Sequence, residues 1–130
     1  MESTKRPGRI RLAFITDKSP IIDIICNDLM ASGLKILFRA DNIDDGVAQL
    51  STLQELPQVC IIDLDFHNGN ILNQLRKLKT ELPTIRLIAH TDIDDNETAK
   101  TLLGIGIESC LLLGSDANNF INAIERNKFL

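Results

Sequence analysis

Asp17 follows the apolar run Ile10 to Thr16, and Asp63 closes the run Val59 to Asp63. If both runs are parallel strands of one sheet, these carboxylates reach the same edge and can share one small cation or phosphoryl group. Mg²⁺ favours carboxylate oxygens, keeps several of its waters and neutralises phosphate oxygens, so such a pair suits phosphoryl transfer. Acids at strand ends are otherwise ordinary solvated loop starters, and the pair acquires meaning only from the elements that position it.

The other reactive side chains are less organised. His67 lies in the turn HNGN and His90 beside Thr91, with no cysteine or third histidine to complete a metal set, so both read as structural or solvent-facing. Asp92, Asp94, Asp95 and Glu97 lack the glycine and terminal glutamate of a calcium-binding loop and read as a solvated helix start. Cys26, Cys60 and Cys110 are odd in number and sit in apolar runs, which predicts buried structural thiols.

The apolar pattern alternates between short continuous runs and helical spacing, the mark of strands and helices in a parallel sheet. A strand over Ile10 to Thr16 precedes a helix capped by Ser19, with Pro20 in its first turn, Ile22, Ile25, Cys26 and Leu29 on one face, and Gly33 as its stop. Lys35 to Arg39 reads as a strand and Asp44 to Leu56 as a helix with Val47 and Leu50 inward, ended by Pro57. Val59 to Asp63 reads as a strand buried on both faces, followed by a helical stripe of Ile71, Leu72, Leu75, Leu78 and Leu82. A strand over Ile85 to His90 leads to a short helix around Ala99 to Leu103, which Gly104 and Gly106 break. Cys110 to Leu113 forms the last strand, and Ser115 or Asp116 caps a helix whose Ala117, Phe120, Ile121 and Ile124 face inward.

Five β-α units without a glycine-rich dinucleotide fingerprint or a P-loop predict an α/β fold, a flavodoxin-like (βα)5 doubly wound parallel sheet of order 2-1-3-4-5. In such sheets ligands collect at the carboxyl ends of the strands near the switch point, which directs attention to Thr16–Ser19, Asp63–Gly69 and His90–Asp95. Residues 1–9 read as a flexible N-terminal segment and 10–130 as one domain. A net charge of -4 supplies no broad basic surface for nucleic acid, and no apolar run is long enough for a signal peptide or membrane span, so a cytoplasmic domain is expected. The absence of Trp and Tyr disfavours a flavin carrier, and no Ser or Cys nucleophile has a base beside it, which disfavours a hydrolase.

The segments FITDKSPII, CIIDLDFHNGN, RLIAHTDIDD and GIGIESCLLLGSDANNFINAI, in this order from about Arg9 to Ile124, resemble the strand-end motifs of response regulator receiver domains, above all those fused to a helix-turn-helix output domain. The resemblance implies that Asp63 is the phosphoacceptor, that Asp17 and Asp63 bind Mg²⁺, and that Thr91 contacts the phosphoryl group. It also implies a histidine kinase as partner, a homodimer, and DNA contact only through an output domain outside this chain.

Several of the family's working residues are replaced. Ungapped, Lys18 falls at the second acidic position, and a shift by one residue puts Thr16 there instead; either way one metal carboxylate is lost, so a Mg²⁺ site would be weakened. The lysine that pairs with the acceptor aligns with Leu113 and the aromatic switch residue with Cys110. Lys18 is a candidate metal substitute, its ammonium standing near Asp63, where an opposite charge favours the ionised carboxylate. Two functional expectations result. One is an atypical, non-enzymatic receiver that controls an output domain through dimerisation or a bound ligand or partner; the other is a conventional Mg²⁺-dependent phosphoacceptor.

Overall fold

The structure, a computed structural model, describes residues 10–16, 19–64, 69–92 and 95–125. Its elements alternate strictly: β1 (Arg11–Ile15), α1 (Pro20–Ala31), β2 (Lys35–Ala40), α2 (Ile43–Leu50), β3 (Val59–Asp63), α3 (Ile71–Glu81), β4 (Arg86–Thr91), α4 (Asn96–Ile105), β5 (Ile107–Leu112) and α5 (Ala117–Glu125). The five strands are parallel in the order β2-β1-β3-β4-β5, as the spacing predicts.

Alternation along each strand builds two apolar layers, one on either side of the sheet. Leu12, Phe14, Ile61 and Ile88 pack with Ile22, Ile25, Cys26 and Leu29 of α1 and with Phe120, Ala123 and Ile124 of α5. Ala13, Ile15, Cys60, Ile62, Leu87 and Ala89 pack with α2, α3 and α4 through Ile43, Leu75, Leu78 and Leu102. The central strand β3 is therefore buried on both faces, which is why its sequence is apolar at consecutive positions until Asp63. A side chain at Gly46 of α2 would strike Ile15, so glycine lets that helix lie close against β1.

Local caps explain most boundaries. Ser19 Oγ accepts from Ile22 N, and Pro20 occupies the first turn of α1 as expected. Asp116 and Asn119 exchange side-chain and backbone hydrogen bonds of 2.9 Å each at the start of α5, a reciprocal cap.

Four expectations are corrected. Helix α2 stops at Leu50 rather than Leu56, because the Ser51 and Thr52 hydroxyls bond back to the carbonyls of Ala48 and Gln49 and the chain tightens into a turn. Helix α4 runs through Gly104 and ends only at Gly106, whose φ of 113° is the left-handed cap conformation. Strand β5 begins at Ile107 rather than Cys110, pairing with Leu87 before a register shift. Cys110 is exposed rather than buried, because β5 is an edge strand with only part of its surface covered, whereas Cys26 and Cys60 are buried as expected.

Candidate functional site at the carboxyl edge of the sheet

Three buried polar side chains occur among the described residues: Thr16, His90 and Thr91. All three stand at the carboxyl ends of β1 and β4, on either side of the end of β3. Ile15 pairs with Ile62, so Thr16 follows beside Asp63; Asp63 in turn pairs directly with His90. The register thus lines up Thr16, Asp63 and His90 across neighbouring strands.

The central contact is between Asp63 and His90. Nδ1 of His90 lies 2.6 Å from Oδ1 of Asp63, within the range of a short charge-assisted hydrogen bond in which the ring N–H donates to the carboxylate. The His90 side chain is 6% exposed and that of Asp63 28%, so the imidazole is inside the protein while the carboxylate opens towards solvent. On its other side the His90 ring meets Phe120 of α5, with centroids 5.4 Å apart and planes tilted by 56°. His90 therefore continues the layer of Ile88 and Phe120 and ends it with a polar group. Thr91, the last residue of β4, is buried next to it.

Thr16 has the opposite character. Its backbone N–H donates to Ala40 O at 3.0 Å, but its buried Oγ1 finds no hydrogen-bond partner among the described residues. A buried hydroxyl without a partner is unfavourable.

Of the residues expected to form the site, Asp63 and Thr91 reach the same edge on adjacent strands. Asp17, the other expected Mg²⁺ ligand, and Lys18, the expected metal substitute, lie outside the described residues, as does His67. Thr16 stands directly after β1, in line with Asp63, and offers a hydroxyl where a carboxylate would serve a cation. Among the described residues no three His, Cys, Asp or Glu side chains gather into a metal-binding group. Asp63 closes β3, and one of its oxygens is engaged by His90, so a cation there would share the carboxylate with the imidazole. Leu113, at the position of the family's lysine, is 56% exposed just past β5, and Cys110 brings no ring to the edge strand.

His90 joins this candidate site although its lone imidazole reads as structural in the sequence. The signal was present: it is the penultimate residue of one strand and Asp63 the last of its neighbour, and once the two runs are set in register their side chains fall on the same face.

No family model matches this chain. A curated relative, a nitrate/nitrite response regulator protein homolog of Haemophilus influenzae, is 28% identical over 118 residues, covering 85% of this chain and 57% of that protein. The chain thus spans a little more than half the length of that relative. Among solved structures, a CheY-like response regulator receiver domain protein from Methanospirillum hungatei superposes with a TM-score of 0.77 at 17% identity, over 92% of this chain and 94% of that one. A DNA-binding response regulator of the LuxR family from Staphylococcus aureus gives a TM-score of 0.72 at 15% identity, over 90% of this chain and 97% of that one. The fold is that of response regulator receiver domains, in agreement with the resemblance of the strand-end motifs.

Proposed function

We propose that the chain is an atypical receiver domain, a signalling module without turnover of its own, whose Asp63 edge controls an output domain through dimerisation or through a bound ligand or partner. The observation that carries this reading is the 2.6 Å contact between His90 and Asp63. The family's phosphoacceptor carboxylate is here held by an imidazole from the adjacent strand, while the lysine position is Leu113 and the aromatic position Cys110. Mg²⁺ held by Asp17 and Asp63 would have to share the second carboxylate with His90, which supports a weakened metal site. When bound, the cation would supply charge neutralisation for an incoming phosphoryl group.

The cytoplasm is the compartment this reading assigns, and the output domain, lying outside the chain, is where DNA contact belongs. No helix among the described residues is long and apolar enough to cross a membrane.

Incubation with a small-molecule phosphodonor, with and without Mg²⁺, followed by intact mass, tests the reading. No stable adduct is expected on the wild-type chain. A Mg²⁺-dependent gain of one phosphoryl group that disappears in Asp63→Ala contradicts it and makes the chain a conventional phosphoacceptor for a histidine kinase.

A further inference from the structure

The imidazole of His90 has two engagements that point in different directions. Its Nδ1 holds Asp63 at the solvent-facing edge, and its ring lies on Phe120 in the interior. Phe120 is fully buried and is also stacked on Phe14 of β1, with centroids 6.4 Å apart and planes 23° from parallel. A densely packed layer of this kind adjusts in discrete steps rather than continuously, so a ring that changes position obliges its neighbour to repack. Beside Asp63, the buried hydroxyl of Thr16 has no hydrogen-bond partner among the described residues. By contrast, β5 brings no ring to this layer: Cys110 and Leu112 are exposed, as is Leu113 just past the strand.

We infer that His90 is a positioning residue that couples the state of Asp63 to helix α5: a group that takes the carboxylate from His90 frees the imidazole, and Phe120 shifts with it. The inference rests on the reading of the Asp63 edge as the control point and adds the direction in which its state travels. Coupling of this kind requires one element with two arrangements that both ends can bias, and the His90 ring is that element.

Backbone amide NMR spectra of the full chain test it without requiring any ligand. Asp63→Ala removes the hydrogen-bond partner of His90 and should shift the amides of Phe120, Ala123 and Ile124. In a His90→Phe background, which keeps a ring on Phe120 but has no bond to Asp63, the same Asp63→Ala change should leave those α5 amides unmoved. His90→Leu serves as a second background should the phenylalanine overpack. Unmoved α5 amides on Asp63→Ala in the wild-type background, or equal shifts in all backgrounds, would overturn the inference. A Mg²⁺-dependent phosphoryl adduct would overturn the atypical reading and leave these shifts as they are, so the two claims fail separately.

Discussion

Strand β4 carries a polar residue near each end, and the two ends are built differently. At the amino end, Arg86 is saturated: Nε and Nη2 engage the Glu108 carboxylate of β5, with Nε at 2.9 and 3.0 Å from its oxygens, while Nη1 donates to Ile124 O at 2.8 Å and Nη2 to Ala123 O at 3.3 Å, near the end of α5. Arg11 at the same edge of β1 is similarly engaged, its Nε donating to Leu56 O and its backbone N–H to Gln58 Oε1. At the carboxyl end, His90 makes one short bond to a half-open carboxylate, and Thr16 leaves a buried hydroxyl without a described partner. Saturated polar groups hold a fold together; incompletely partnered ones keep free energy available for an incoming group. The amino edge is the clamp of this domain and the carboxyl edge its candidate site.

Substitutions at the two ends should therefore differ in size and even in sign. Arg86→Ala strips a charge-assisted network with both partners mostly shielded from solvent, removing the guanidinium from the Glu108 carboxylate and from the Ala123 and Ile124 carbonyls, and should lower unfolding free energy by about 2–4 kcal/mol in denaturant melts. His90→Leu loses one hydrogen bond to a carboxylate that water can still reach and should cost less, about 1–3 kcal/mol in the same measurement. Equal losses at the two ends would erase the distinction between clamp and site. Thr16→Val sharpens it further: replacing the orphaned hydroxyl by a methyl group of similar shape should leave stability unchanged or raise it by about 1 kcal/mol. A loss on Thr16→Val would mean that the hydroxyl is already satisfied and that the edge is complete.

The smallest effect concerns the thiols and contrasts the core with the edge strand. Burial pushes the Cys60 thiol up to about 12, and it raises Cys26 as well, against the opposing pull of the Arg39 guanidinium. Cys110 is exposed as a residue, yet partial shielding of its sulfur also raises the thiol above its ordinary value. Because the thiolate is the reactive form, alkylation of the folded chain should proceed in the order Cys110, Cys26, Cys60. The rate at Cys110 should keep rising with pH beyond the point where an ordinary thiol levels off. Peptide mass mapping after timed alkylation reads both.

Sheet order and the inward face of α1 were legible because each rests on local patterns that tertiary structure reinforces. Val59–Asp63 is a strand in both sequence and structure, and Ile22, Ile25, Cys26 and Leu29 are the buried residues of α1 as the spacing requires. Cys110 was misread for a physical reason: the run ESCLLL has the apolarity of a central strand, and periodicity does not distinguish a central strand from an edge strand. The extent of α2 was misread because the hydroxyls of Ser51 and Thr52 compete for the helix carbonyls, a local effect that the stripe of Val47 and Leu50 does not reveal. His90 was missed because a single imidazole carries no information about its partner until the register of β3 and β4 is known. Of the candidate site, the place of Asp63 at a strand end was legible, but not the imidazole that contacts it.

An ionised Asp63 can only accept, so His90 donates to it from Nδ1 in the resting protein. A long-range ¹H–¹⁵N spectrum of the histidine ring nitrogens measures this directly. The expected result is a protonated Nδ1 on His90 whose proton resonates far downfield, with that signal lost or moved in Asp63→Ala. An Nδ1 that carries no proton, or one whose signal is the same with and without the Asp63 carboxylate, would contradict it.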